Sequence, residues 1–179
     1  MTLSLRRSIL LFALAAGGLT AVAAPDAQAR ERTRTRSASH VDGARSAAVN
    51  ASASGAHGSR TRARRWQADG QGNAVGSSGA TASGASGGSA TRQGSFYRNA
   101  DGSAGRQGSA SVTTANGGSA SSSGTIARSA DGSVTGGRQT SATGANGGSY
   151  QGTTTVADGS VSHTGTCTNA AGEVVACRP

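Results

Sequence analysis

Arg98-Asn99-Ala100-Asp101-Gly102-Ser103 returns thirty residues later as Arg128-Ser129-Ala130-Asp131-Gly132-Ser133. Between the copies lies Asn116-Gly117-Gly118-Ser119, which itself returns as Asn146-Gly147-Gly148-Ser149. Asp101, Asn116, Asp131 and Asn146 are thus fifteen residues apart. Asp-Gly and Asn-Gly tolerate the positive φ angles of tight hairpin turns, which most other pairs avoid. A further copy, Val156-Ala157-Asp158-Gly159-Ser160, follows after a shorter spacing. Upstream, Ser86-Gly87-Gly88-Ser89 falls fifteen residues before Asp101, and Ala68-Asp69-Gly70 opens the series less regularly. The turn positions Asp101-Gly102, Asn116-Gly117, Asp131-Gly132, Asn146-Gly147 and Asp158-Gly159 define a repeat of about 30 residues with two turns.

The segments between turns alternate with period two, as strands do. Gly108, Ala110, Val112 and Thr114 share one side, and Ser109, Ser111 and Thr113 the other. Tyr150, Gly152, Thr154 and Val156 form another such set, and so do Val161, His163, Gly165 and Cys167. The expected fold is mainly β, a series of antiparallel hairpins running as a meander. In a meander consecutive turns lie at opposite ends of the sheet. Asp101, Asp131 and Asp158 then share one end, and Asn116, Asn146 and Asn169 the other. Turns of one kind sit two strands apart, about 9.5 Å. That is too far for one row of Asp to enclose a calcium ion, whose ligands must lie within about 2.6 Å.

Composition limits what such a sheet can pack against. After residue 29 the large apolar side chains number fourteen, and none is Leu or Met. That is too few for a conventional hydrophobic core. Either the repeats form a sheet held by its backbone ladder, or the chain is largely a disordered low-complexity one. Charge divides it further. The chain carries +9 overall, with no Lys. Residues 30–65 hold nine Arg against Glu31 and Asp42. This stretch reads as a disordered basic arm, and residues 66–179 as the Gly/Ser/Thr-rich hairpin region. Within the arm, Arg30, Arg32, Arg34 and Arg36 fall on alternate residues, and Arg60, Arg62, Arg64 and Arg65 lead to the only Trp, Trp66. Extended, alternate guanidinium groups point one way and would track phosphates or anionic sugars.

Residues 1–29 read as a secretory signal. Arg6 and Arg7 precede an apolar run from Ile9 to Ala16, and Ala27-Gln28-Ala29 supplies a small-residue cleavage site. An exported chain keeps disulfides. Cys167 and Cys177 flank Asn169-Ala170-Ala171-Gly172, a turn signal, and read as a staple across a terminal hairpin. No transmembrane segment is expected after cleavage.

The signals for chemistry are weak. Gly84-Ala85-Ser86-Gly87-Gly88 fits the G-x-S-x-G nucleophile pattern, but a chain this rich in Gly and Ser produces such matches by chance. His40 and His57 fall in the basic arm, and His163 has no acidic neighbours in sequence. Asn50-Ala51-Ser52 is a lone glycosylation sequon. A phosphate-binding loop would need a Lys. No cofactor, metal set, catalytic residue or small-molecule substrate is expected.

Thr143-Gly144-Ala145-Asn146-Gly147-Gly148-Ser149 and the segment Cys167 to Cys177 resemble a group of uncharacterised exported bacterial repeat proteins. That group combines a signal peptide, T-G-x-N-G-G-type turns and a C-terminal Cys pair. The resemblance covers roughly residues 85–179; it implies export and carries over no functional residue. The expected function is that of an exported, non-enzymatic structural or interaction protein of the cell envelope, periplasmic or secreted. Two alternatives stand beside it. One is polyanion binding through the Arg-rich arm, to lipopolysaccharide, another anionic glycan or nucleic acid. The other is self-assembly into a β fibre, with the chain as its own partner.

Overall fold

The computed structural model describes residues 30–177. The signal-sequence reading lies outside them. The described chain forms one eleven-stranded sheet whose spatial order is its sequence order. Strands β1 (Glu31–Val41), β2 (Ala44–Gly55), β3 (Gly58–Ala68) and β4 (Ala74–Gly84) come first. Strands β5 (Ser89–Arg98), β6 (Ala104–Thr113), β7 (Ser119–Arg128) and β8 (Val134–Thr143) carry the regular repeats. Strands β9 (Ser149–Ala157), β10 (Ser160–Thr168) and the two-residue β11 (Val174–Val175) close the meander. Every neighbouring pair is antiparallel.

The hairpin reading of the repeats is what the structure shows. The basic stretch 30–65 is a correction. It is not a disordered arm but strands β1, β2 and most of β3, continuous with the rest of the sheet. The register gives the physical reason. Arg32, Arg34 and Arg36 on β1 pair with Ala53, Ala51 and Val49 on β2. Those three pair in turn with Arg60, Arg62 and Arg64 on β3. At these three levels small neutral residues of β2 thus separate the two arginine rows, and no arginine of β1 or β3 stands directly opposite another arginine.

Two kinds of turn recur along the meander. At Asp42-Gly43 and Asp158-Gly159 both residues have positive φ, 48° and 82° in the first, 48° and 81° in the second. These are two-residue turns of the mirror-image type that matches strand twist. At Asp101-Gly102 and Asp131-Gly132 only the Gly takes positive φ. There the loop is longer: Asn99 N–H donates to Ser103 O at 2.9 Å, and Gly102 N–H to Asn99 O at 3.0 Å. Asn116-Gly117 and Asn146-Gly147 follow this second pattern.

Among the described residues no second layer covers the sheet. Ala53, at 9% exposure, is the one buried hydrophobic side chain among the described residues. Three devices take the place of a core. The backbone ladder is continuous from β1 to β10. Hydroxyls pair across strands, as in Thr61 with Thr81 at 2.7 Å, Thr91 with Ser111 at 2.7 Å and Ser121 with Ser141 at 2.8 Å. Aromatic rings cover strand glycines: Phe96 lies over its cross-strand partner Gly76, Tyr97 over Gly105, and Tyr150 over Gly152 and Gly165. At the C-terminal edge Cys167 and Cys177 form a disulfide with Cα atoms 5.3 Å apart. The ladder sets Val175, not Cys177, opposite Cys167, so the bridge runs diagonally past the last rung.

Candidate functional site: an arginine face

A single-layer sheet has two accessible faces, and the register assigns every strand residue to one of them. Residues directly opposite in a ladder share a face, and alternate residues change face. Following the pairs from Arg34 gives Ala51, Arg62, Ala80, Arg92 and Ala110. Following them from Arg36 gives Val49, Arg64, Ser78, Gly94, Gly108, Gly124 and Arg138. The level of His40 holds Arg45, Arg98 and Arg128. Every strand arginine but one falls on this face. The exception is Arg65, which pairs with Ala48 and Ser77 on the other side and donates its Nε–H to Ser77 Oγ at 2.9 Å.

The carboxylates are elsewhere. Asp42, Asp69, Asp101, Asp131 and Asp158 all lie in turns at one end of the sheet. Glu31 pairs with Ser54 and so points to the face opposite the arginines, and Glu173 lies in the β10–β11 turn at the other end. Among the described strands, the arginine face therefore carries no carboxylate.

Its densest part is at β1 and β3. Arg32, Arg34 and Arg36 stand about 6.8 Å apart along one strand, and Arg60, Arg62 and Arg64 repeat that spacing about 9.5 Å away. The alanines of β2 form a low floor between these rows. Arg30 precedes β1 and lies beside Gly55, with its Cγ 3.8 Å from where a Gly55 Cβ would stand. Most of these guanidinium groups project into solvent, whereas Arg138 donates to Ser122 Oγ at 2.8 Å and Arg128 to Gly102 O at 2.9 Å. His163 also lies on this face, held between Tyr150 Oη at 3.1 Å and Thr154 Oγ1 at 2.9 Å.

The other face is hydroxyl- and amide-rich. A groove of about 1440 Å3 crosses it from β2 to β9. Its walls include Gln93, Gln107, Gln139, Ser109, Ser123 and Thr153; among the described strands, Arg65 is the one arginine whose register places it on that side.

The aspartates hold their turns together. The Ser103 hydroxyl and then the Ser103 N–H bind Asp101 and hold its carboxyl below the ordinary range. At Asp131 the Ser133 N–H and then the Ser133 hydroxyl do the same. The Asn73 amide and the Gln71 N–H lower Asp69.

No protein-family model, curated protein or solved structure matches this chain. Its site must therefore be read from geometry alone. Of the arginines singled out in sequence, Arg32, Arg34, Arg36, Arg60, Arg62 and Arg64 come together on one face, and Arg65 does not. Sequence reading missed Arg92, Arg98, Arg106, Arg128 and Arg138, because it treated them as scattered charges of a neutral repeat region; Arg45 it counted in the basic arm but did not single out. The available signal was their parity counted from each turn. Ser86 lies in the β4–β5 hairpin turn, not in the strand-to-helix elbow its pattern requires. His40 lies on β1 and His57 in the β2–β3 turn.

Proposed function

We propose that this is an exported, non-enzymatic interaction protein of the cell envelope that binds polyanions through its arginine face. One observation carries the reading: among the described residues, all strand arginines except Arg65 share one face, and the aspartates are confined to turns at one end. A regular array of guanidinium groups on a rigid ladder meets repeating phosphates or anionic sugars without the ordering cost of a flexible arm. Lipopolysaccharide, anionic glycans and nucleic acid share that chemistry. The Cys167–Cys177 disulfide is compatible with export.

Heparin chromatography of the chain lacking residues 1–29 tests the reading. Retention should fall steeply with salt, as counterion release requires. The triple variant R34Q/R62Q/R92Q should elute at much lower salt, whereas R65Q, on the opposite face, should elute like the parent. Equal loss from R65Q would show that net charge, not the face, drives binding and would overturn the proposal.

A second reading, assembly into a β fibre, has its own observation. Among the described residues the outer edge of β1 has no partner, and β11 covers only Cys167 and Thr168 of β10. Open edges invite strand addition, while the β1 arginines oppose it. Light scattering at increasing protein concentration separates the two: a fibre former grows, and a monomeric binder does not.

A further inference from the structure

The arginine face is also the apolar face. One level runs straight across the sheet through Trp66, Phe96, Arg106, Ile126, Val156 and Val161, with Gly76 and Gly136 between them. Trp66 is 40% exposed, Phe96 44%, Ile126 46% and Val161 69%. The neighbouring level on the same face holds Arg64 and Arg138, about 6.8 Å away along the strands. From β3 to β10 the apolar level extends roughly 34 Å. It has no counterpart of that length behind it: on the hydroxyl face the adjacent row is Gln67, Val75, Tyr97, Gly105, Ala127 and Thr135, with Val75 and Tyr97 its large apolar side chains.

A soluble polyanion would neutralise the guanidinium groups and leave Trp66, Phe96 and Ile126 in water. The surface of an anionic lipid layer satisfies both sets. Phosphate headgroups meet the arginines, and the headgroup–acyl boundary accepts aromatic and aliphatic side chains. The fold permits this approach. With the sheet lying flat on the layer, the backbone groups of the inner strands stay paired within the ladder, so no unpaired N–H or C=O enters the apolar region. We propose that the polyanion bound by the arginine face is a phosphate-bearing lipid surface, with Trp66, Phe96 and Ile126 seated at the headgroup boundary. This inference rests on the polyanion reading and narrows it.

Trp66 is the only tryptophan in the chain, so it reports its own environment. The chain lacking residues 1–29 is mixed with phosphatidylglycerol–phosphatidylcholine vesicles, with pure phosphatidylcholine vesicles and with heparin. With the anionic vesicles, Trp66 emission should shift to the blue, become shielded from a soluble quencher and co-sediment with lipid. Phosphatidylcholine alone and heparin should leave the emission unchanged. The exposed-site variant F96S/I126S should weaken vesicle binding about tenfold or more, while its heparin retention stays that of the parent. The R34Q/R62Q/R92Q variant should lose both. Heparin retention without vesicle binding, or an equal Trp66 shift with phosphatidylcholine or with heparin, would overturn the lipid inference and leave the polyanion reading standing. Loss of retention on heparin and on anionic vesicles alike, in the parent chain, would overturn both.

Discussion

A few residues in this sheet have no conformational alternative, and Gly58 is the sharpest case. It opens β3 with φ of 124°, a region closed to other residues, and a Cβ there would run into the Ser83 carbonyl and the Gly84 Cα. Gly58→Ala should cost about 2 kcal/mol or more, seen as a lower urea midpoint with early loss of hydrogen-exchange protection across β3 and β4. Asp101 and Asp131 act differently, through charge. Ser103 and Ser133 hold their carboxyls below the ordinary range, so the folded state binds protons less readily than the unfolded chain. Their contribution is therefore complete above the unfolded value, about pH 4, and is lost as pH falls through the lowered folded value. The melting temperature of the parent should drop between pH 5 and pH 2 on the order of this titration. In D101N/D131N that drop should be smaller; an identical pH profile would show that these turns contribute no linkage.

Among elements, the hairpins were the legible part and the first three strands were not. Asp101, Asn116, Asp131 and Asn146 mark turns whose chemistry is local, so spacing alone places β5 to β9 correctly. The same logic was available upstream: Asp42-Gly43 is an Asp-Gly pair and makes the β1–β2 turn. It was hidden by composition, because an Arg-rich, Ser/Ala-rich stretch satisfies the usual criterion for disorder. That criterion weighs average charge and ignores which charges face each other. Here register decides, since Ala53, Ala51 and Val49 interleave two arginine strands. The arginine face was illegible for a related reason: it is a property of eleven strands in register, and no single segment displays it. The interleaving makes a direct prediction. Ala51→Arg would place a third guanidinium opposite both Arg34 and Arg62. It should destabilise β1 to β3 by roughly 1 kcal/mol at low ionic strength, with much of the loss recovered in molar salt. Limited proteolysis at both salt concentrations reads this out; equal cleavage of variant and parent at low salt would mean that the charges never approach.

Over the described residues the molecule is a row of strands in which each touches its sequence neighbours and nothing packs above or below. Such a structure is quasi-one-dimensional, closer to a repeat array than to a globular domain, and its stability is a sum of neighbour terms. It follows that damage should stay local. The Cys167–Cys177 bridge closes a short loop at the last hairpin, a constraint expected to add about 2–3 kcal/mol there. β11 pairs with β10 through Cys167 and Thr168 only, so without the bridge almost nothing holds it. Hydrogen exchange on C167S/C177S should show lost protection in β10 and β11, with β3 to β7 unchanged from the parent. A globular core would behave otherwise, since losing one staple lowers the protection of every slowly exchanging amide by the same free energy. Uniform loss across the sheet would therefore reject the neighbour-by-neighbour account, and with it the idea that the arginine face persists when its C-terminal edge frays. Local loss would mean that the arginine-bearing strands β1 to β8 stay formed in a reducing environment, where the staple is open.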